Sequence, residues 1–201
     1  MFIELTEILK CPHDHETSYV ICGPVTMDGR DVVRGGLVCP VCKAEFPILD
    51  RVAWFAPPGN DGRTASPPRT SPLTAEAAVA FLGLEGPGGY ALTVGDAGRL
   101  GPELGVALPR IGVVGVNPPD DVVPSATFSV LRSARGFPIR PRSVRAVVIG
   151  AGGAANPWLA AGIDALLPGL RVVVEGDAPL PGGIVELARG AGVVVGEKRA
   201  R

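Results

Sequence analysis

The sequence lacks an excess of charge of either sign. Its 201 residues carry 19 lysines and arginines against 20 aspartates and glutamates, which gives a formal net charge of −1. A chain so balanced has no overall field that would draw it to nucleic acid or to an anionic membrane. Binding of that kind would have to use a local patch of charge.

Long hydrophobic runs are also missing. The longest stretch of small and apolar residues, 146–155, is ten residues long and rich in glycine, whereas a transmembrane helix needs about 20 apolar residues. Residues 1–7 carry two acidic side chains where a signal peptide carries positive charge. We therefore expect a cytoplasmic protein without membrane contact, in which the four cysteines are metal ligands or core residues and do not form disulfides.

The chain beyond Cys42 has neither cysteine nor histidine. A stretch rich in proline and poor in large apolar residues, 56–72, separates the cysteine-bearing part from the rest. Such a stretch has little to bury and is typical of a linker. The sequence thus predicts a zinc-ribbon domain over residues 1–57, a proline-rich linker over 58–72 and a second domain over 73–201.

The spacing of the cysteines is typical of a tetrahedral zinc site. Cys39-Pro40-Val41-Cys42 places two thiolates on one tight turn, and Cys11 opens a second turn upstream. The fourth ligand stays open among His15, Asp14 and His13, ranked in that order, because imidazole binds zinc better than a lone carboxylate in a thiolate-rich site. A site with four protein ligands is structural, and it compensates for the small core of so short a domain.

Short strands joined by turns are predicted for the first part, and strands alternating with helices for the second. The first part has strands at 19–22, 36–39 and 53–55 after a helical 5–9. The second has strands at 90–94, 111–116, 128–131, 144–149, 170–175 and 193–196, with helices at 76–84, 101–108, 157–167 and 184–190. Valine-rich strands separated by helices indicate a parallel sheet covered on both faces. The expected fold class is α/β, with a small zinc-ribbon-like β domain and a truncated Rossmann-like domain.

Three stretches of the first part resemble a known family when taken together. They are Leu5-Thr6-Glu7-Ile8-Leu9-Lys10-Cys11-Pro12, Gly36-Leu37-Val38-Cys39-Pro40-Val41-Cys42 and Phe46-Pro47-Ile48-Leu49-Asp50-Arg51-Val52-Ala53. These stretches are similar to the zinc-ribbon activator family of tRNA, rRNA and release-factor methyltransferases over residues 1–55. The chain departs from the family pattern in lacking the second cysteine of the first turn, and in having Arg51 and Ala53 where glycine and proline are usual. The resemblance implies a binding module that pairs its strand edge with a methyltransferase partner.

The second part is similar to a class I methyltransferase that uses S-adenosylmethionine. The similarity lies in Gly95-Asp96-Ala97-Gly98-Arg99-Leu100-Gly101 after a strand, and in Leu166-Leu167-Pro168-Gly169-Leu170-Arg171 before another. It implies a cofactor site lined by Gly95, Gly98 and Asn117, with Asn156 facing the substrate. In such folds the ligand lies beyond the carboxyl ends of the strands, where glycines allow close approach and an acid holds the ribose.

Several features expected of such an enzyme are missing. Asn117 stands where the ribose-binding acid would be, and no carboxylate, tyrosine or histidine follows the fourth strand closely. The helix predicted at 184–190 also leaves the family's final antiparallel hairpin incomplete. These gaps favour a pseudo-methyltransferase that has no catalytic residues and in which binding of S-adenosylmethionine is lost.

The function expected is that of a non-catalytic zinc-ribbon protein with a vestigial methyltransferase-like domain. It would act by protein–protein interaction, as partner or regulator of a methyltransferase or a translation-related complex. The alternative is an S-adenosylmethionine-dependent methyltransferase with an attached zinc ribbon. A less favoured hypothesis has RNA contacted by the arginine cluster Arg132, Arg135, Arg140, Arg142 and Arg145. Docking of the ribbon in cis or in trans stays open, because the linker is long enough for either.

Overall fold

The computed structural model describes residues 1–16, 19–56, 71–134, 136–150, 158–177 and 179–200. A single sheet of eleven strands runs through both predicted domains. None of the helices in these described ranges is long and apolar enough to cross a membrane. Most of the predicted linker and Asn156 lie outside the described residues, and the division into domains at 57 and 73 stays a prediction.

The elements follow one another along the chain as follows. The strands are β1 (Ile21–Asp28), β2 (Asp31–Val38), β3 (Glu45–Leu49), β4 (Val52–Trp54), β5 (Tyr90–Val94), β6 (Gly112–Val116), β7 (Phe128–Arg132), β8 (Ala146–Ile149), β9 (Arg171–Glu175), β10 (Ile184–Gly190) and β11 (Val193–Lys198). The α-helices are α1 (Ala75–Leu82), α2 (Gly101–Ala107) and α3 (Trp158–Ala165), and two 3-10 helices cover Ile3–Glu7 and Gly95–Leu100. The order across the sheet is β1-β2-β3-β4-β7-β6-β5-β8-β9-β11-β10.

Five parallel strands form the middle of the sheet, as the valine-rich segments predicted. Strand β5 pairs with β6 on one side and with β8 on the other, β6 pairs with β7, and β8 pairs with β9. Strands β7 and β8 are buried along their whole length, as expected for a parallel sheet with both faces covered. The α/β fold class is confirmed.

The helix predicted at 184–190 is wrong, because this segment is strand β10. It pairs antiparallel with β11, from Ile184 opposite Lys198 to Gly190 opposite Val193. Ala191 and Gly192 form the two-residue loop between them, and both have positive φ, at 50° and 73°. Two-residue loops of this kind match the twist of a hairpin. The final antiparallel hairpin is therefore complete, and the expectation that it would be incomplete is also wrong.

The first part of the chain contains more strand than the sequence predicted. Strands β1 and β2 form a long antiparallel hairpin around the turn at Gly29 and Arg30, and β3 was missed altogether. Strand β3 has Phe46 and Ile48 buried between more exposed neighbours, which is the alternation of a strand covered on one face. The helix expected at 5–9 is a 3-10 helix at Ile3–Glu7.

The ribbon docks in cis. Strand β4 lies parallel to β7, with Val52 opposite Val130, Ala53 opposite Leu131 and Trp54 opposite Arg132. The backbone N–H of Phe55 extends the pairing by donating to the carbonyl of Arg132 at 2.7 Å. Both Ala53 and Leu131 are fully buried. The linker length left open whether the ribbon docks in cis or in trans, and the continuous sheet shows docking in cis.

The start of the chain covers a sheet face where the described residues of the crossover between β7 and β8, 133–134 and 136–145, form no helix. Leu9 forms an antiparallel bridge with Ile139 there, and the Tyr90 hydroxyl donates to the carbonyl of Glu4 at 3.0 Å. Buried side chains of the first nine residues share one core with side chains of the sheet and of α3. The first nine residues contribute Met1, Leu5, Ile8 and Leu9, the sheet contributes Leu92, Val94, Leu131, Val147 and Ile149, and α3 contributes Ile163.

The opposite face is covered by α1 and α2, which pack on a second core. Its centre is Phe128, whose ring is fully buried. A Cβ added at Gly101 would lie 2.1 Å from this ring, and one added at Gly115 would lie 2.5 Å from it. Glycine at these two positions lets α2 and β6 approach the ring closely.

Candidate metal centre and cofactor-facing strand ends

Four side chains of the ribbon come together as a potential metal centre. They are Cys11, His15, Cys39 and Cys42, whose ligand atoms all lie within 4.8 Å of one another. The Sγ atoms of Cys11 and Cys42 are 3.7 Å apart, and Cys39 Sγ is 3.3 Å from His15 Nε2. Two sulfurs on a tetrahedral zinc ion with Zn–S bonds of about 2.3 Å would be about 3.8 Å apart. The donor set and its spacing therefore fit a zinc ion.

Both cysteine turns supply backbone N–H groups to the sulfurs. The N–H groups of Val41 and Cys42 donate to Cys39 Sγ, and the N–H of His13 donates to Cys11 Sγ. Burial by itself would raise the pKa of Cys39, but these donors and the neighbouring cysteines bring that pKa down to about 7. Burial dominates at Cys11 and raises its pKa to about 12. A metal ion that binds all four side chains would displace the Cys11 proton.

Of the three candidates for fourth ligand, His15 is the one that joins the cluster. His13 is exposed, with its Nδ1 3.4 Å from Cys42 Sγ, and Asp14 is exposed and outside the cluster. Cys22 is half-buried against the core, and burial raises the pKa of its thiol. The four side chains ranked first as metal ligands in the sequence are thus the four that form the cluster. The sequence gave no signal of the contact between His13 and Cys42.

The three residues predicted to line a cofactor lie at the carboxyl ends of neighbouring strands. Gly95 follows β5, with φ of +62°, and no atom of the described residues lies within 4 Å of a Cβ placed there. Gly98 lies in the 3-10 helix after it, where a Cβ would be 2.4 Å from the Pro118 side chain. Asn117 follows β6. Among the described residues, none occupies the space above Gly95, whereas Pro118 fills the space above Gly98.

The side chain of Asn117 forms two hydrogen bonds with the backbone of Ser133, the residue that follows β7. Its Nδ2 donates to the carbonyl of Ser133 at 2.7 Å, and its Oδ1 accepts from the N–H of Ser133 at 2.8 Å. Asn117 has a φ of 51°, a conformation that asparagine tolerates better than most residues. Its side chain thus ties the end of β6 to the end of β7. The sequence gave no sign of this role for Ser133.

The strand ends on either side of β5 are also close-packed. A Cβ added at Gly150, after β8, would lie 2.5 Å from the backbone nitrogen of Ala97. In a doubly wound sheet the ligand crevice opens at the strand from which the order runs both ways, which here is β5. In the described part of the chain, the Pro118 side chain packs against Gly98 in this region, and the backbone at Ala97 packs against Gly150.

Most arginines of the predicted basic edge donate hydrogen bonds to backbone carbonyls of the same chain. Arg132 is buried, and its guanidinium donates to the carbonyls of Pro118 and Pro119. Arg140 donates to the carbonyl of Leu9 at 3.2 Å, and Arg145 donates to the carbonyls of residues 85–88. Arg142 is exposed, and Arg135 lies outside the described residues. Three of the five arginines therefore satisfy backbone carbonyls.

The first part of the chain is a set of antiparallel strands with a candidate metal centre, and its strand β4 continues the parallel sheet of the second part. Residues 3–50, about a quarter of the chain, match the model of the family described as Trm112p-like protein. This match confirms the resemblance to the zinc-ribbon activator family that the motifs indicated. No curated protein matches the sequence.

Several solved structures are similar to parts of the chain. The antibiotic-resistance methyltransferase Kmr is 13% identical with a TM-score of 0.47, over 64% of this chain and 94% of that one. A complex between the Haloferax volcanii Trm112 methyltransferase activator and a methyltransferase is 18% identical with a TM-score of 0.40, over 50% of each chain. Phosphoethanolamine N-methyltransferase 2 of Haemonchus contortus, with S-adenosyl-L-methionine, is 16% identical with a TM-score of 0.40, over 54% of this chain and 30% of that one. The chain thus spans half or less of the last two.

Proposed function

We propose that this chain is a non-catalytic, methyltransferase-like protein stabilised by its own zinc ribbon, and that it acts as partner or regulator of a methyltransferase or a translation-related complex. The zinc ion would be held by Cys11, His15, Cys39 and Cys42 and would supply structural cross-links only. The observation that carries the proposal is the pair of hydrogen bonds between the Asn117 side chain and the Ser133 backbone. These two hydrogen bonds hold the amide against the neighbouring strand end, and an amide lacks the negative charge of the acid that holds the ribose in this class of fold.

The parallel pairing of β4 with β7 supports a role for the ribbon inside the chain. A strand can pair on two sides only, and β4 lies between β3 and β7. The ribbon therefore has no free β4 edge to offer to a second methyltransferase. A protein partner would have to bind another surface, such as the outer strands β1 and β10, which carry the exposed apolar side chains of Ile21, Val25, Val185 and Leu187.

The packing above the sheet supports the loss of cofactor binding. A ligand at the β5 switch point would need room beside the 3-10 helix of Gly95–Leu100. Pro118 fills the space next to Gly98, and Gly150 touches the backbone at Ala97. At the end of β6 the chain offers an amide already bonded to Ser133 where an enzyme of this class would offer a free carboxylate.

The alternative, a working methyltransferase with an attached ribbon, is favoured by two observations. The antiparallel hairpin of β10 and β11 completes the sheet beside β9, and no described residue occupies the space above Gly95. Both features are compatible with a fold that could still admit a ligand, although a fold by itself does not establish an activity.

Calorimetric titration of the full, zinc-loaded chain with S-adenosylmethionine and with S-adenosylhomocysteine separates the two functions. We expect no binding of either ligand up to millimolar concentration, with one zinc ion per chain. Micromolar binding of either ligand would overturn the loss of cofactor binding on which the proposal rests and would favour the alternative.

A pair of glycine variants identifies where a ligand binds if binding is found. Gly95→Ala places a methyl group in the open space at the end of β5. Gly169→Ala is the matched control, because Gly169 also has a positive φ, of +76°, and no atom within 4 Å of its Cβ position. Both variants carry the same kind of backbone strain, so a loss of affinity confined to Gly95→Ala locates the ligand at β5.

A further inference from the structure

The two histidines of the first cysteine turn contact different cysteines. His15 Nε2 lies 3.3 Å from Cys39 Sγ and belongs to the metal-ligand cluster. His13 Nδ1 lies 3.4 Å from Cys42 Sγ, and its ring meets that of Phe46 edge-on at a centroid distance of 6.0 Å. His13 is therefore placed beside one ligand, on the outside of the cluster.

Cys42 is the ligand that most needs such a neighbour. It is exposed, whereas Cys11 and Cys39 are buried and His15 is half-buried. A zinc-bound cysteine is a thiolate, which keeps negative charge on sulfur and remains open to water and to electrophiles where it is exposed. Since a thiolate has no proton to give, the contact with His13 in the zinc-loaded protein requires the histidine to be the donor.

We propose that His13 is a positioning residue of the metal centre. It donates an Nδ1–H hydrogen bond to the Cys42 thiolate, holds that sulfur on the metal and lowers its reactivity. Hydrogen bonds from the outer shell orient metal ligands and tune their charge, and their loss costs roughly 10- to 100-fold in metal affinity. Contact with Phe46 fixes the ring in place for this bond. The inference depends on zinc binding by the ribbon and is independent of whether S-adenosylmethionine binds.

Two substitutions separate the hydrogen bond from the ring. His13→Phe keeps an aromatic ring for the contact with Phe46 but removes the donor. His13→Asn removes the ring but keeps a side-chain N–H at a similar distance from the backbone as Nδ1. His13→Leu removes the donor without adding a second phenyl ring, and it replaces His13→Phe if that variant does not fold.

The rates of zinc loss and of Cys42 alkylation measure the effect in the full, zinc-loaded chain. Zinc transfer to a chromophoric chelator gives the first rate, and iodoacetamide labelling followed by peptide mass spectrometry gives the second. We expect both rates to rise about tenfold in His13→Phe, at the lower end of the outer-shell range because the site is exposed, and to stay near wild type in His13→Asn. Unchanged rates in His13→Phe, or equal rises in both variants, would overturn the proposal.

Cobalt(II) substitution distinguishes a positioning residue from a ligand. Wild type and His13→Phe should give the same ligand-field spectrum, because three cysteines and His15 still bind the metal. A changed spectrum in His13→Phe, with the wild-type spectrum retained in His15→Ala, would show that His13 is itself the fourth ligand and would overturn the proposal.

Discussion

Ala53 of the ribbon lies directly opposite Leu131 of the central sheet, and both side chains are fully buried. This pair lies where the antiparallel strands of the ribbon meet the parallel strands of the central sheet. Because β4 and β7 belong to one sheet and one core, we infer that the metal stabilises more than the ribbon. Loss of the metal would expose the sheet face that residues 1–9 cover.

Zinc removal should loosen the central sheet together with the ribbon. The chain has two tryptophans, Trp54 on β4 and Trp158 on α3, so each can serve as the single fluorophore when the other is replaced. In Trp54→Phe, the emission of Trp158, whose ring lies 5.6 Å from that of Phe137, should change in step with zinc release to a chelator. A change confined to Trp54, followed in Trp158→Phe, would show that the two parts are not coupled.

Gly101→Ala should destabilise the protein although alanine favours a helix. Alanine is better than glycine by about 1 kcal/mol in a helix interior. The added Cβ, however, would lie 2.1 Å from the buried Phe128 ring, and overpacking of a core costs about 1–3 kcal/mol. Chemical denaturation should show a net loss of stability. Gly182→Ala, where a Cβ meets no atom within 4 Å, is the control and should change stability little.

Asn117→Asp should destabilise the fold at neutral pH. The N–H of Ser133 can still donate to the new carboxylate, but the second oxygen would face the carbonyl of Ser133, which now receives a bond from Nδ2 at 2.7 Å. Loss of that bond with a carbonyl left unpaired costs about 1–3 kcal/mol. Denaturant titration at pH 7 measures the loss, and Asn117→Gly, which permits positive φ but makes neither bond, is the reference.

The penalty of Asn117→Asp should shrink at low pH. A protonated carboxyl can donate to the carbonyl of Ser133, so the fold favours the protonated form and raises the pKa of the new group above its unfolded value. Stability from this group is then fully present below the unfolded pKa, near 4, and is lost as the pH rises through the folded pKa. A penalty independent of pH between 3 and 7, relative to wild type, would contradict the bonding described for Asn117.

Lys198→Met should weaken the attachment of α3 to the last strand. The ammonium of Lys198 donates to the carbonyls of Ile163, Asp164 and Leu166 at 2.8, 3.0 and 2.7 Å, at the C-terminus of the helix, where a cation is favourable. Burial nevertheless lowers the pKa of Lys198, so the bonds also offset a desolvation cost. We expect a loss of about 1–3 kcal/mol by chemical denaturation. Arg189→Met, which removes an exposed ion pair with Glu186, is the control and should change stability little, because solvent screens such a pair.

Local patterns were enough to predict the side chains that meet in the candidate metal centre and the parallel sheet. Cys39 and Cys42 belong to one turn, so their spacing alone brings two sulfurs together, and the ranking of His15 above Asp14 rested on ligand chemistry. The valine-rich segments at β5, β6, β8 and β9 have no other stable place than a sheet covered on both faces. The error at β10 arose because its residues 184–190 have mixed polarity with a bulge near Leu187, so neither period stands out. The loop residues Ala191 and Gly192 are also not among the dipeptides, such as Asn-Gly and Asp-Gly, that signal a hairpin.

The sequence by itself determined the strands of the parallel sheet, the candidate metal ligands and the asparagine that stands in place of an acid directly after β6, since each depends on residues close together along the chain. Only the tertiary structure decided that β4 pairs with β7 of the same chain, that residues 1–9 cover the crossover between β7 and β8 and that Ser133 engages Asn117. These contacts join residues that are far apart in sequence, as Ala53 and Leu131 are, 78 positions apart. No periodicity or spacing encodes such a pairing, because it is selected by the burial and hydrogen bonding of the whole sheet.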